Sequence, residues 1–381
     1  MKKICFITTV PITLETFVYP IALRLAETGK IQVTVISSFD DESMKHIPSI
    51  VNFYNVKMKR GVNFHFFSSI IKLYRIFRKE KFEMIQYSTP NAALYSSIAG
   101  KFSKIKIRLY AQWGIRYVSF EGVTRYIFRK IEMITCRFST VIRAVSELNK
   151  QFGLSERLYS ADVVKVVGKG GTIGVDLKVF SLEKKQDSIN EVNKIYNLEN
   201  YYVYGFVGRL TTDKGAKELL MSFCKLSKKH EVKLLVIGPN EFLNDNEIMN
   251  IIDTQCMKNI IFTGYIPHDL LYKYYSRFDC FVHPSHREGF GMVLQEAGAM
   301  CLPIITTNIP GASEVFINQE SCHLVPPNNP SKLHEAMELL LLDRDYSEKI
   351  SRNAYLRTSE LFERGKMINQ LIDDYFSLLG L

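Results

Sequence analysis

The chain has 381 residues, 46% of them hydrophobic and 23% charged, with seven cysteines and a formal net charge of +10. That length exceeds what one hydrophobic core usually serves, so two domains are expected, and the apolar share excludes a disordered or fibrous chain. No apolar run approaches the roughly 18 residues of a membrane span, MKKICFITTV is too short for a secretory signal, and scattered cysteines without a CxxC pair point to buried thiols in a reducing cytoplasm rather than a disulfide or zinc framework. Lys3–Thr8 (KICFIT) has strand length, Thr13–Glu27 follows with helical spacing that Gly29 ends, and Gln32–Ser37 is a second, β-branched strand. This alternation opens a parallel sheet.

Further strands are expected at Val51–Val56, Met84–Tyr87, Ile105–Gln112, Thr140–Arg143 and Val163–Val167, with helices among them at Phe67–Lys79 and Thr124–Arg137. Loops at the carboxyl ends of parallel strands are where such sheets bind ligands. They single out Thr13 in the stretch TTVPITLET, Tyr87 and Asn91 in YSTPN, and Gln112, Trp113 and Arg116 in QWGIRY. The charge is uneven: Met1–Lys178 carries 28 Lys and Arg against 13 Asp and Glu, leaving 21 against 26 of the totals, so the first part is +15 and the second −5. The two helices concentrate part of that surplus, with Lys72, Arg75, Arg78 and Lys79 beside Phe77 on one, and Arg125, Arg129 and Lys130 beside Tyr126 and Phe128 on the other. An anionic membrane surface is one partner for such helices; the plainer alternative turns the aromatics to the core and the cations to water.

Gly168–Gly174 (GKGGTIG) satisfies a glycine-rich pattern but opens no helix, so it is not read as a dinucleotide site, and the polar run Ser181–Glu199 suits a domain boundary. Alternation then restarts with strands at Tyr202–Gly208, Lys233–Gly238 and Ile260–Thr263, and helices at Ala216–Lys228, Asn246–Gln255 and His268–Arg277. In GRLTTDKG, Arg209 and Lys214 flank a turn that leads into a helix, and two cations at a helix N-terminus suit a diphosphate. Asp279–His283 is a short strand, followed by a Pro- and Gly-containing loop and a helix opening at Gly291. The amides of Gly289, Phe290, Gly291 and Met292 then sit at a helix N-terminus, where orphan donors and the dipole favour an anion. Glu288 and Glu296 place a carboxylate on either side, suited to hydroxyl groups. His283, His286 and Glu288 lack zinc-site spacing, and Asp343 and Asp345 fall in a polar helical junction rather than after a strand.

Glu288, seven intervening residues and Glu296, inside HREGFGMVLQEAGAMCLPI and followed by PGASEV, resemble the signature of glycosyltransferase family 4, retaining enzymes with the GT-B fold. GRLTTDKG, GPN at Gly238–Asn240 and GTIGVDLKVF at Gly171–Phe180 extend the resemblance over Gly171 to about Tyr375. It implies an α/β architecture of two Rossmann-like domains facing a cleft: residues 1–177 for the acceptor, 178–361 for a nucleotide sugar, and a last helix within 362–381 crossing back to the first domain. It implies Glu288, Arg209 and Lys214 at the reacting centre, with Gly208, Gly289, Phe290, Gly291, Met292, Val293 and Glu296 holding the donor. Glu288 would hold sugar hydroxyls and Glu296 ribose hydroxyls, with no metal or other cofactor. Where the family often carries an acceptor-side histidine this chain has Trp113, an aromatic face that suits a sugar ring or the core.

The expected activity is transfer of a sugar from a UDP-linked donor to a glycan carried on polyprenyl diphosphate, in capsule- or O-antigen-type synthesis. The enzyme would be cytoplasmic and peripheral on the inner face of the cell membrane. A sugar-nucleotide epimerase would share the architecture but convert its substrate without an acceptor. A nucleic-acid-binding protein would fit the pI of about 9.1, but no recognised nucleic-acid motif accompanies the charge.

Overall fold

The computed structural model describes residues 1–58, 66–241 and 252–381. They divide into two compact units, Met1–Ile173 with Lys366–Leu381, and Gly174–Gly365. From the sequence the joints are expected at 177/178 and 361/362, a few residues from these.

In the first unit the strands are β1 (Lys2–Ile7), β2 (Ile31–Ser37), β3 (Asn52–Asn55), β4 (Met84–Tyr87), β5 (Ile107–Gln112), β6 (Val141–Ala144) and β7 (Val164–Lys165). They form a parallel sheet in the order β3-β2-β1-β4-β5-β6-β7. Successive residues of β1 serve opposite faces, as a two-residue period requires. Cys5 and Ile7 pack with Leu73, Phe77, Ala92 and Cys136 from helices Phe66–Glu80, Pro90–Phe102 and Gly122–Phe138. Ile4 and Phe6 pack with Leu14, Ile21, Ile372 and Tyr375.

The single helix expected at Thr13–Glu27 is two, Pro11–Phe17 and Tyr19–Glu27, parted at Val18. Pro20 is the reason: inside one continuous helix it would lack the N–H owed to Thr16 and its ring would strike that carbonyl, whereas it fits the first turn of a new helix. The last helix, Arg364–Leu379, is held to the first unit's sheet. Arg143 grips Asp374 through two hydrogen bonds of 2.7 and 2.9 Å, and the Tyr375 hydroxyl donates to Gln86 at 2.7 Å.

The second unit contains β8 (Tyr202–Val207), β9 (Val232–Ile237), β10 (Ile260–Gly264), β11 (Cys280–His283), β12 (Ile304–Thr307) and β13 (His323–Val325), parallel in the order β10-β9-β8-β11-β12-β13. Of the helix expected at Asn246–Gln255, residues 246–251 lie outside the described residues, and a short helix occupies Thr254–Met257. The polar run after Ser181 contains helix Lys185–Tyr196, which buries Val192 and Ser188. One expectation is overturned: Cys224, near the end of helix Ala216–Ser227, and Cys256 form a disulfide with a Cα–Cα distance of 5.2 Å. Their 32-residue separation carries no local signal, since only the packing of the two helices brings them together. Cys5, Cys136, Cys280, Cys301 and Cys322 are free thiols. Among the described residues no helix is long and apolar enough to cross a membrane.

Candidate active site

In each sheet the chain reverses its direction of strand addition beside the first strand, and in such folds the crevice outside the carboxyl ends at that reversal is where ligands bind. In the second unit the reversal lies between β8 and β11. The loops leaving these strands are Gly208–Gly215 and Pro284–Gly291, the two stretches that the motifs mark. They interlock. The His286 amide donates to the Asp213 carbonyl at 2.9 Å, and the Ser285 hydroxyl donates to the same carbonyl at 3.2 Å. Gly215 has φ +72°, and a Cβ there would meet the Pro284 carbonyl oxygen at 2.0 Å, so only glycine permits the approach. Gly311 of PGASEV plays the same part, since a Cβ on it would stand 2.3 Å from the Gly289 carbonyl oxygen.

At the junction of the loops Lys214 Nζ lies 2.7 Å from Glu288 Oε2. The same oxygen accepts from His283 Nε2 at 2.9 Å. Burial alone would raise the Glu288 carboxyl, but the Lys214 charge and the His283 hydrogen bond outweigh it and hold the group well below the ordinary carboxylate range. Burial depresses His283, which therefore stays a neutral imidazole. Arg287 adds a cation that the motif reading did not single out, its Nη2 3.6 Å from Asp213 Oδ2. Burial raises Asp213, yet the Thr211 hydrogen bond and the charges of Lys214, Arg287 and Arg209 bring it below its usual value. Arg209 itself is exposed, 3.3 Å from Glu241.

Helix Met292–Ala299 opens with Gly291 in the left-handed region at φ +57°, so the first-turn amides of Met292 and Val293 have no helical carbonyl to donate to. Gly289 differs from expectation: its N–H turns to its neighbour's Glu288 Oε1 at 3.3 Å, because the side chain folds back over the loop. Phe290 is buried against Phe362. Glu296 is buried and both its oxygens are already engaged, Oε1 by His268 Nε2 at 2.7 Å and Oε2 by the Tyr275 hydroxyl at 2.9 Å. That hydrogen bond raises His268 against the opposing effect of its burial. His268 and Tyr275 were legible only as helix residues, since nothing in HDLLYKYY announces a carboxylate 21 to 28 positions away. His283 and His286 address different carboxylates, Glu288 and Glu218, and among the described residues no group of three or more His, Cys, Asp or Glu is placed to hold a metal ion.

In the first unit the reversal lies between β1 and β4. Here Thr9 and Thr89, not singled out from the sequence, join the two loops: their hydroxyls are 2.7 Å apart, and the Thr9 amide donates to Thr89 Oγ1 at 2.7 Å. Thr13 lies half-buried in helix Pro11–Phe17, and Asn91 opens helix Pro90–Phe102 with its amide on the Tyr95 hydroxyl at 3.3 Å. Trp113 is half-buried against Phe17, ring centroids 5.1 Å apart. Arg116 lies over the Phe128 ring at 4.9 Å.

Two expected acceptor-side residues are core residues instead. Tyr87 is fully buried with its hydroxyl on Ser139 at 2.7 Å, because all four residues of β4 are covered on both faces of the sheet. Gln112 is also fully buried, donating to Glu132 at 2.7 Å and accepting from the Tyr159 hydroxyl at 3.0 Å. A third correction concerns Phe77, which lies in the core rather than at an interface. The apolar side chains that helices Phe66–Glu80 and Gly122–Phe138 do expose are Phe67, Ile71 and Tyr74, and Val123, Tyr126, Ile127 and Ile134.

The profile of the family described as glycosyl transferases group 1 matches residues 188–357, which contain both interlocked loops. The capsular polysaccharide biosynthesis glycosyltransferase CapM of Staphylococcus aureus is 30% identical over 351 residues, covering 91% of this chain and 90% of CapM. This chain belongs to the group 1 glycosyl transferases. The transferase is also 21% identical over 319 residues to an Escherichia coli UDP-Gal:alpha-D-GlcNAc-diphosphoundecaprenol alpha-1,3-galactosyltransferase, covering 82% of this chain and 79% of that protein. Its fold is GT-B. Anabaena HepE, solved in complex with UDP and glucose, superposes with a TM-score of 0.81 at 17% identity, covering 99% of this transferase and all of HepE.

Proposed function

We propose that this transferase moves a sugar, with retention at the anomeric carbon, from a UDP-linked donor to a glycan carried on polyprenyl diphosphate, in capsule- or O-antigen-type polysaccharide synthesis. The observation that carries the reading is the 2.7 Å contact of Lys214 with Glu288 at the carboxyl ends of β8 and β11. Breaking the bond between the anomeric carbon and the diphosphate leaves an oxocarbenium-like sugar and negative charge on the departing oxygen. An ammonium has three donors, so Lys214 can keep Glu288 and still reach that oxygen. Arg209 and the first-turn amides of Met292 and Val293 supply further positive potential, which lets the leaving group depart without a metal. Glu288, kept ionised, accepts hydrogen bonds from sugar hydroxyls, and Glu296 with its remaining lone pairs accepts from the ribose. A phosphate oxygen takes the acceptor's proton.

The names of the relatives support the acceptor class: CapM works in capsule biosynthesis, and the Escherichia coli enzyme acts on a diphosphoundecaprenol-linked sugar. Helices Phe66–Glu80 and Gly122–Phe138 support membrane attachment. They flank helix Pro90–Phe102 and expose Lys72, Arg75, Arg78, Lys79 and Lys130 beside Phe67, Ile71, Val123 and Tyr126. The test begins with a thermal-shift screen of nucleotide sugars, since a ligand of the folded state raises its stability. The stabilising donor is then incubated with a synthetic polyprenyl-diphosphate glycan, and the anomeric configuration of the product is read by NMR. An inverted anomer overturns the mechanism, and conversion of the donor with no acceptor present identifies an epimerase instead.

A further inference from the structure

His283 ends β11 and is 1% exposed. Its ring is nearly parallel to the neighbouring rings of Phe281 and Phe206, at interplanar angles of 9° and 21°, so packing restricts its rotation. Nδ1 is buried and has no hydrogen-bond partner among the described residues, while Nε2 lies 2.9 Å from Glu288 Oε2. A proton on Nδ1 would be a buried donor without an acceptor, which is unfavourable. A proton on Nε2 meets a carboxylate. The geometry therefore selects one form, the neutral imidazole with its hydrogen on Nε2. Lys214 and His283 both occupy Oε2, and among the described residues the contact of Oε1 is the long one of 3.3 Å with the Gly289 amide.

Resting on the proposed role of Glu288, we infer that His283 is a positioning residue: its Nε2–H pins Oε2 of Glu288 so that Oε1 is presented to the donor sugar. Lys214 alone could not do this, because an ammonium on a flexible four-carbon stem fixes a charge but not the plane of a carboxylate, and it must also serve the diphosphate. A second, rotationally restricted donor on the same oxygen limits the carboxylate's orientation whichever group Lys214 contacts. A displacement of about 1 Å at such a position lowers turnover on the order of a hundredfold.

The experiment uses the full-length enzyme and two replacements. His283→Phe keeps an aromatic ring beside Phe206 and Phe281 but removes the donor; His283→Gln restores an N–H of similar reach. Turnover in H283F is expected to fall about 10- to 100-fold while the Kd for free UDP stays within about twofold, because sugar orientation and diphosphate binding are separate contributions. H283Q should recover most of the lost turnover. Should H283F lose its thermal transition, H283N takes its place, since the shorter amide fits the space but does not reach Glu288. Wild-type turnover in the donor-less variant overturns the inference, and so does failure of H283Q to exceed it. Glu288→Gln in parallel separates this from the underlying reading: if E288Q turns over like wild type, the role of Glu288 itself is refuted, whereas an impaired E288Q beside an unimpaired H283F refutes only the positioning by His283.

Discussion

Replacing Lys214 by Ala removes one group from two places, and each has its own magnitude. In the free enzyme Lys214 and Glu288 are 2.7 Å apart with side chains 21% and 17% exposed. At an effective dielectric of about 20, unit charges at that distance attract by roughly 6 kcal/mol. Desolvation takes back a large share, and breaking such a pair typically costs 3–5 kcal/mol because one charge stays buried alone. His283 still holds the carboxylate, so the lower end applies, about 3 kcal/mol. In the reaction the variant also loses a charge-assisted contact to the leaving diphosphate, for which ~2–4 kcal/mol, or roughly 30- to 1000-fold in kcat/KM, is the usual order. Urea denaturation measures the first effect and steady-state kinetics at saturating acceptor the second. The double variant K214A/E288Q distinguishes them, since a neutral amide needs no counter-charge: its stability should return to within about 1 kcal/mol of E288Q alone. Unchanged kcat/KM in K214A would show that the loop only shapes the fold, and an unchanged unfolding midpoint would show that the ion pair contributes nothing in solution.

The two glutamates should separate by calorimetric titration: Glu288→Gln lowers turnover and leaves UDP affinity nearly intact, whereas Glu296→Ala weakens UDP itself, and the reverse pattern would exchange their roles. Activity should survive EDTA; loss on chelation that Mg²⁺ or Mn²⁺ restores would refute a leaving group stabilised by Lys214, Arg209 and backbone amides. Vesicles containing anionic lipid should sediment the protein at low salt and release it at high salt, each basic residue near the surface contributing about 1 kcal/mol within a Debye length of roughly 8 Å, while equal recovery in the supernatant with anionic and neutral vesicles would point to a soluble acceptor. Burial raises Glu132 from 4.5 to about 6 against the hydrogen bonds from Gln112 and Tyr110. The folded state therefore holds that proton more tightly than the unfolded chain, and stability should fall by about 2 kcal/mol as pH rises from about 4.5 through 6. Glu132→Gln should flatten that slope, and an identical slope in the variant would refute the assignment.

Much of this protein is legible in local pattern. Apolar runs at strand spacing between helical stretches specify two parallel sheets, because a strand buried on both faces has few polar choices and a helix packed on one side has a fixed period. The paired motifs GRLTTDKG and HREGFG locate the candidate site for a related reason: close backbone approach admits only glycine, as Gly215 against Pro284 and Gly311 against Gly289 show. Side-chain partnerships were not legible. Tyr87 and Gln112 stand at strand ends like ligand-facing residues, and only the positions of Ser139 and Glu132, on or beside a helix over β4 and β5, turn them inward. Lys214 and Glu288 are 74 residues apart, Cys224 and Cys256 are 32 apart, and His268 reaches Glu296 across 28. Backbone pattern is a property of a few consecutive residues, but whether a buried charge or thiol finds a partner depends on where distant segments meet, and that is decided by the packing of the whole domain.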